Sequence, residues 1–413
     1  MKHWCRIANE LCVVVFVMFI AFSIESSAGE VKIGQIHPMT GSLASIGQSA
    51  KRGHDFAVEK INASGGIKAL GNSKIILLNG DTQGKPEIGM SESERLIRDG
   101  AIMLTGCYQS NVTFAATQVA ERHQIPFVIS MSIADNILER GFKYVFRTQY
   151  SSSMAANRTV EYIISLGKRK GREAKRIGLI YENTLFGKST ADALKKAAQD
   201  QGLVVVADIS YPHKTTDLSS EVARLKAEAP DVVVPITYVT DGILLIRTMA
   251  EMKFDVLAVV GSANSGFTDP SFIKSLGALA EYTFNVVPRY NSANPEAVAV
   301  SKEFEKKYNV YFDLTSVYSY VATYVMADVL ERAASTDPKR LLKALIETDI
   351  RDPKINILPQ KGIKFGKVGK MENQNILANV VVEQILRGRL EPVHPAEYAT
   401  HEPVWPVKKW VDR

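Results

Sequence analysis

Two successive series of short apolar runs restrict most strongly what this chain can fold into. The runs are apolar at every position and not at every second one, which is typical of strands covered on both faces. The first series is Ile33–Ile36, Ile75–Leu78, Ile102–Leu104 and Phe127–Ile129, and the second is Ile177–Ile180, Leu203–Val206, Val232–Ile236 and Val256–Val260. Because parallel sheets between helices have both faces covered, the pattern predicts an α/β fold with parallel sheets.

Helical periodicity fills the gaps between the runs. In the clearest case, small and apolar side chains recur at spacings of three and four and so share one helix face. These residues are Ala50, Gly53, Ala57, Val58 and Ile61. The segment Asn62–Gly66 then ends this helix, because Asn and Gly tolerate a left-handed backbone. A break at Ser151–Ser153 separates the two series, and the pattern predicts two similar α/β lobes.

Residues 1–28 have the organisation of a secretory signal peptide. Two basic residues precede the apolar run Leu11–Phe22, and the small residues Ser26–Ala28 suit a signal peptidase. The run is too short to cross a hydrocarbon layer of about 30 Å, which requires about 20 helical residues. We therefore expect the exported chain to begin near Gly29. An uncleaved membrane anchor is the alternative.

The composition is that of an ordinary globular protein. About 385 residues follow the predicted signal peptide, which is enough for two domains. The net charge is +6, and the densest basic cluster, Lys168–Arg176, falls between a helix pattern and a strand pattern. That position favours a solvated loop over a nucleic-acid surface. Only Cys107 follows the signal segment, so this part of the chain can form no intramolecular disulfide, and a buried apolar role is favoured for that cysteine.

Sequence motifs of catalysis and cofactor binding are missing. Gly187-Lys188-Ser189 ends like a phosphate-binding loop, but Glu182 stands where that loop needs its first glycine. There is no GxSxG turn, and the seven histidines show no paired metal-binding spacing. We therefore expect neither an enzyme nor a metal or cofactor site, although isolated acids do not exclude catalysis.

A series of short motifs runs in a characteristic order along the chain. These are Val31–Gly34, Pro38–Gly41, Gly47, Arg52-Gly53, Ile61-Asn62, Gly65–Ile67, Gly80-Asp81, Gly106 with Ser110, Ile125-Pro126, Ile129-Ser130, Phe146–Thr148, Phe186-Gly187, Pro230–Val233 and Val404–Pro406. No single motif is specific. Their order and spacing together resemble the branched-chain amino-acid-binding family of periplasmic proteins, which are type I solute-binding proteins of ABC transporters.

That resemblance implies two doubly wound parallel-sheet lobes joined by a three-segment hinge, with a ligand in the cleft between them. Both lobes are then discontinuous: residues 30–149 and 283–355 form lobe 1, and residues 150–282 and 356–413 form lobe 2. The resemblance also implies a periplasmic monomer that hands a small molecule to the membrane permease of an ABC importer, without a nucleic-acid partner. A receptor module that passes ligand occupancy to a signalling partner is the alternative function.

Two loops of lobe 1 are expected to hold a carboxylate. Ser110 follows the run Ile102–Leu104 and opens the helical pattern Asn111–His123, where a hydroxyl and free backbone N–H groups suit an anion. A plain helix N-cap explains a serine at this place equally well. By resemblance, Ser110 is the family's carboxylate-binding serine, and Ser132 in the second loop supplies an amide. Ala134 stands where the family usually has a threonine, so one hydroxyl is missing.

Aromatic side chains are expected to complete the pocket. The resemblance implies that Phe186 and Tyr238 are aromatic pocket residues of lobe 2. Tyr108 and Tyr150 flank the loops of lobe 1. Aromatic residues at strand ends are also ordinary core residues, and the order of the motifs is what favours the pocket.

The positions that hold an α-ammonium group depart from the family pattern. Amino-acid-binding members use carboxylates, whereas the aligned positions here are Ser152 and either Ala263 or Asn264. Breaking a buried ion pair costs about 3–5 kcal/mol, so a buried ammonium group needs a partner. Asp241 is one substitute, although an N-cap of the helical pattern Gly242–Met252 is its favoured role.

Two ligand classes follow from this departure. An aliphatic amino acid requires Asp241 to replace the missing acids. A carboxylate or amide without an ammonium group, and of aromatic character, suits the four aromatic side chains. Chemistry slightly favours the second class, and the family likeness favours the first.

Overall fold

The computed structural model describes residues 29–287 and 290–413. The predicted signal peptide, residues 1–28, lies outside the described residues. Within the two described ranges, no helix combines the length and the apolar character needed to cross a membrane.

The strands, numbered in chain order, fall into the predicted runs and into several later segments. They are β1 Glu30–His37, β2 Lys74–Asp81, β3 Met103–Gly106, β4 Phe127–Ile129, β5 Val145–Arg147, β6 Arg176–Glu182, β7 Val204–Tyr211, β8 Val232–Ile236, β9 Ala258–Ser262, β10 Phe284–Val286, β11 Asp349–Ile350, β12 Ile363–Val368, β13 Met371–Asn375, β14 Val382–Leu386 and β15 Arg389–His394.

Helices alternate with the strands along most of the chain. They are α1 Ala44–Ala63, α2 Pro86–Arg98, α3 Ser110–His123, α4 Ser152–Arg169, α5 Leu185–Gln201, α6 Ser219–Ala227, α7 Val239–Glu251, α8 Pro270–Leu276, α9 Pro295–Tyr308, α10 Leu314–Ala333 and α11 Pro338–Ile346. Short 3₁₀ helices lie at Lys68–Leu70, Asp135–Ile137, Ser265–Phe267, Gly277–Ala280 and Trp410–Asp412.

The strands form two mixed sheets with the same central strand order. The first sheet runs β11-β12-β13-β5-β4-β3-β1-β2, and the second runs β15-β14-β10-β9-β8-β6-β7. The five strands that come first along the chain in each sheet, β1–β5 and β6–β10, are parallel and lie side by side in the order 2-1-3-4-5. The later strands add antiparallel pairs at one edge of each sheet. The predicted α/β fold with two parallel-sheet lobes is confirmed. We name the first sheet with its helices lobe 1, and the second sheet with its helices lobe 2.

The chain crosses between the lobes three times: after β5, after β10, and between β13 and β14. The predicted boundaries at residues 283 and 356 are wrong. Residues 284–286 pair with β9 in the second sheet, and residues 363–375 form an antiparallel hairpin at the edge of the first sheet. The hairpin strands are only half-buried, so they lack the continuous apolar run that marks the parallel strands.

Helix α10 belongs to lobe 1 although it comes late in the chain. It is buried along most of its length and packs against α1. The helix backbones are in close contact at Gly53, where a Cβ atom would lie 2.2 Å from the carbonyl oxygen of Ser316. Phe56 of α1 also packs edge to face on Phe304 of α9, with the ring centroids 5.4 Å apart. The core of lobe 1 therefore combines residues from distant parts of the sequence.

A pair of histidines is buried beside this helix packing. The rings of His37 and His54 stack with centroids 5.2 Å apart, and both residues are almost completely buried. His54 Nδ1 lies 2.7 Å from the Thr323 hydroxyl, whereas neither ring nitrogen of His37 has a partner among the described residues. Burial, together with the nearby Lys51 ammonium group, lowers the pKa of His37 to about 3. Burial and the charges of His37 and Lys51 also lower the pKa of His54 well below its usual value.

These depressed pKa values predict a loss of stability in mild acid. Below the unfolded-state pKa of about 6.5, the unfolded chain binds protons at these rings that the folded chain does not bind. Each ring should therefore lower the free energy of unfolding by up to about 1.4 kcal/mol per pH unit as the pH falls below that value. Urea unfolding between pH 7.5 and 5.5 measures this slope.

In His54→Gln, the free energy of unfolding should change less steeply with pH, because one of the two buried rings no longer contributes. This holds whatever the change in absolute stability. Ser165→Ala, at an exposed residue that does not titrate, is the control and should retain the parent slope. An unchanged slope in His54→Gln would contradict the proton linkage.

Candidate ligand-binding site

A cleft between the lobes receives residues from loops that follow the carboxyl ends of β3, β4, β5, β6, β8 and β9, where ligands of such sheets bind. It contains about 350 Å³ of atom-free space, its open mouth included. The lining residues are Tyr108, Ser110, Met131, Ser132, Ile133, Tyr150, Phe186, Tyr238, Ala263, Ser265 and Leu314. None of these described lining residues is an acid or a base, so the wall is aromatic, aliphatic and neutral polar.

Helix α3 presents an open N-terminus to this cleft. Its N-cap residue is Gln109, whose side chain makes no capping hydrogen bond, and Ser110 is the first helical residue. The N-cap alternative for Ser110 is therefore wrong. Thr113 N donates the first intrahelical bond to the Gln109 carbonyl (2.9 Å), so the preceding N–H groups have no acceptor within the helix. Free N–H groups and the helix dipole at this point favour an anion.

The second loop of lobe 1 is fastened to the same turn. The Ser132 hydroxyl lies 2.9 Å from the Cys107 carbonyl oxygen and also bonds to the Thr113 hydroxyl. This hydroxyl is therefore engaged within the protein, although Ser132 is among the residues that line the cleft. Ala134 is completely buried among apolar side chains and is not among the lining residues. At Gly106, with φ of 114°, a Cβ atom would lie 2.1 Å from the Ile36 carbonyl, so this turn requires glycine.

Aromatic rings of both lobes meet across the cleft. Tyr108 of lobe 1 lies 5.8 Å from Tyr238 of lobe 2, and Phe186 lies 5.3 Å from Tyr238, between ring centroids. The Tyr108 hydroxyl faces Ser265 and the Tyr238 hydroxyl faces Thr184, but neither oxygen has a partner of ordinary hydrogen-bond geometry among the described residues. Burial raises the pKa of both tyrosines, so both are neutral donors at physiological pH. Two buried donors are thus free for a ligand acceptor.

Asp241 lies beneath Tyr238 and does not line the cleft. Its carboxylate accepts a hydrogen bond from the Tyr211 hydroxyl (2.5 Å) and a longer one from the Tyr238 backbone N–H (3.3 Å). Burial raises its pKa to about 6. The favoured N-cap role is wrong, because Tyr238 is the N-cap of α7 and Asp241 is the third helical residue.

The other predicted positions of an ammonium partner are engaged in the fold. Ser152 is buried, with its hydroxyl 3.0 Å from that of Thr190. Asn264 is buried too, and it accepts from Thr237 (3.0 Å) and caps the 3₁₀ helix that follows it. Only Ala263, the alternative to Asn264, lines the cleft.

Four lining residues were not predicted: Met131, Ile133, Ser265 and Leu314. Met131 and Ile133 flank the predicted Ser132 and could have been included by their place in that loop. Leu314 begins α10, whose approach to the cleft depends on packing against α1, so no local signal marks it. Among the described residues, no group of three or more His, Cys, Asp or Glu side chains could hold a metal ion.

Direct hydrogen bonds join the lobes beside the cleft. The Asp135 backbone N–H of lobe 1 donates to the Ser189 hydroxyl of α5 (3.1 Å). The Ser152 N–H donates to the Ile133 carbonyl (2.9 Å) close to the first crossing. These bonds and the aromatic contacts hold the lobes in a closed arrangement.

Two α/β lobes of equal strand order, joined by three crossings around a shared cleft, define a two-lobe solute-binding protein. The chain belongs to the periplasmic binding protein family, whose family model matches residues 30–381. The predicted family resemblance is therefore confirmed.

Relatives and solved structures agree with this assignment. The Leu/Ile/Val-binding protein homolog 8 of Brucella abortus is 30% identical, over 91% of this chain and 93% of the relative. The leucine-binding protein LivK of Thermotoga maritima has a TM-score of 0.75 at 19% identity, covering 88% of this chain and 97% of its own. A solute-binding protein of R. palustris in complex with benzoate has a TM-score of 0.74 at 20% identity, covering 88% and 96%. At these identities the structural matches support the fold.

The two buried tyrosines Tyr238 and Tyr211 predict opposite responses to loss of the hydroxyl. Tyr238→Phe removes a group without a partner, so the free energy of unfolding of the ligand-free protein should stay within about 0.5 kcal/mol or rise. Tyr211→Phe removes a hydrogen-bond donor from the buried Asp241 carboxylate, so the free energy of unfolding should fall by about 1–3 kcal/mol. Urea unfolding followed by circular dichroism compares the two. Equal destabilisation would contradict the assignment of the Tyr238 hydroxyl as a free donor.

The bond from Asp135 to Ser189 predicts a variant that weakens closure. Ser189→Ala should raise the dissociation constant of a cleft ligand about two- to tenfold, because one inter-lobe hydrogen bond of about 0.5–1.5 kcal/mol is lost. Calorimetric titration measures the change. Ser165→Ala, at an exposed serine of α4 in the same lobe, is the control and should bind as the parent does. Unaltered binding in Ser189→Ala would show that this bond does not stabilise the closed form.

Proposed function

We propose that this protein is the extracytoplasmic solute receptor of an ABC importer, and that it binds a small carboxylate-bearing molecule between its lobes. The observation that carries the proposal is the uncapped N-terminus of α3 in a cleft lined from both lobes. The predicted signal peptide supports export to the periplasm, and the family is periplasmic. The membrane permease of the importer is the expected partner. Because one chain supplies both walls of the cleft, we expect a monomer to bind the ligand.

The chemistry of the wall favours an aromatic acid or amide that lacks an ammonium group. The described lining residues include four aromatic rings, Tyr108, Tyr150, Phe186 and Tyr238, and no carboxylate. An aromatic ligand gains by contact with such rings, whereas a buried ammonium group would have no anionic partner at the wall. The benzoate complex of the R. palustris protein is a precedent within the same fold.

An aliphatic amino acid is the second candidate ligand. The names of the Brucella relatives, Leu/Ile/Val-binding protein homologs, support it. In this case Asp241 would have to reach the ammonium group past Tyr238 and exchange its bond to Tyr211. The sensory alternative rests on the fold alone, and it stays a prediction.

Calorimetric titration with benzoate and with leucine tests the proposal. We expect benzoate to bind and leucine to bind at least tenfold more weakly, and Asp241→Asn to leave benzoate binding unchanged. Tight leucine binding that is lost in Asp241→Asn would support the amino-acid candidate and overturn the aromatic one. If no small carboxylate, benzoate and leucine included, binds even at millimolar concentration, the proposed ligand class is wrong. Once a ligand that binds is known, its uptake by vesicles that contain the permease tests the transport role.

A further inference from the structure

Arg147 is a buried cation without an ion pair. It is the last residue of β5 and is completely buried. Its guanidinium group donates to the Gln374 side-chain oxygen (2.7 Å), to the Ala134 carbonyl (2.9 Å) and, more weakly, to the Ser132 carbonyl (3.4 Å), and it contacts the sulfur of Met371. All of these partners are neutral. No carboxylate among the described residues lies within ion-pair distance of it.

An unpaired buried charge is expensive, so its persistence needs a reason. Burial lowers the pKa of Arg147 to about 10, opposed by the more distant carboxylates of Asp135 and Glu139. The group is therefore still a cation at neutral pH. Its partners are carbonyl and amide oxygens, which a neutral donor could also satisfy, so these hydrogen bonds alone do not require a charged group.

The charge lies behind the loop that forms one wall of the cleft. Arg147 holds the Ser132 carbonyl, and the N–H of the same trans peptide, that of Ile133, points away from the guanidinium group. This N–H has no acceptor among the described residues, and Ser132 and Ile133 both line the cleft. The guanidinium group thus holds and polarises the peptide between Ser132 and Ile133, whose N–H has no acceptor among the described residues.

A separate group of acids lies near Tyr108, which precedes the start of α3 in lobe 1. Asp241, Asp269 and Asp313 all act on Tyr108 and raise its pKa, after burial as the main cause. Each of them accepts hydrogen bonds from its own neighbours, such as Tyr211 on Asp241 and Ser49 on Asp313. None of these three acids is among the charges that act on Arg147, which are Asp135 and Glu139. An anionic group in the cleft is favoured by the N-terminus of α3 and by the free Ile133 N–H.

We propose that Arg147 is a positioning residue whose charge is balanced by the ligand, and that it makes the cleft select a carboxylate over the corresponding neutral amide. This inference rests on the proposed function and narrows it, because it removes the amide from the favoured ligand class. Arg147 acts through the 132–134 loop and by its field, and not by contact with the ligand.

The experiment compares acid and amide pairs in the full exported chain: benzoate with benzamide, and leucine with leucinamide. For whichever acid binds, the parent protein should prefer it over its amide by at least tenfold. In Arg147→Met this preference should fall about ten- to thirtyfold, mainly through weaker acid binding, as expected for a charge acting over several ångströms. Arg147→Lys should recover part of the preference. A purely structural role would weaken acid and amide equally, and that result would overturn the inference.

Arg140→Met is the matched control. Arg140 also holds backbone carbonyls, those of Phe114 and Ile137, but it lies beside the middle of α3 and is not among the residues that line the cleft. It should leave the acid-to-amide ratio unchanged. If Arg147→Met does not fold, the parent protein alone decides: equal binding of an acid and its amide would overturn the inference. If neither acid binds the parent protein, the proposed function fails before Arg147 is tested.

Discussion

Two neighbouring amide side chains hold the hinge in one arrangement, and the cleft depends on them. Asn375 donates to the Thr148 carbonyl (2.8 Å), and Gln374 donates to the Gln149 carbonyl (2.6 Å), so the third crossing is fixed to the first. Both amides are completely buried. An unsatisfied buried amide costs about 1–3 kcal/mol, so the first and third crossings cannot shift relative to each other without losing stability. Tyr150, the next residue after Gln149, lines the cleft, so the hinge fixes the base of the site.

The wall of the cleft is neutral because the nearby acids of lobe 2 accept hydrogen bonds at the starts of helices. Glu182 accepts hydrogen bonds from Thr184 N (2.7 Å) and Gly187 N (2.8 Å) at the start of α5, and Asp241 accepts one from the backbone N–H of Tyr238, the N-cap of α7 (3.3 Å). Carboxylates at these points complement the positive ends of the helices. They stabilise the turns that carry Phe186 and Tyr238, and neither carboxylate is among the lining residues of the cleft.

The sequence predicted the parallel strands well, because runs that are apolar at every position reflect burial on both faces. It predicted the third crossing before the β12–β13 hairpin and not after it, because this hairpin is half-buried and has no such run. Within the candidate site, Ser110 and the four aromatic residues line the cleft, since their places follow from strand ends. Ala134, Ser152 and Asn264 do not line it, because alignment to a family gives a position along a strand and not the direction of a side chain. Leu314 was missed because its position is set by tertiary packing.

The close contact between α1 and α10 has a consequence for how the protein is made. Lobe 1 cannot complete its core until α10 and the hairpin at residues 363–375 have been synthesised, since α10 packs on α1 and the hairpin pairs with β5. Contacts of such large sequence separation form late, because closing long loops costs entropy before any contact compensates. Lobe 1 is therefore completed only after nearly all of the chain has been synthesised, whereas the five parallel strands of lobe 2 follow one another without interruption and can pair earlier.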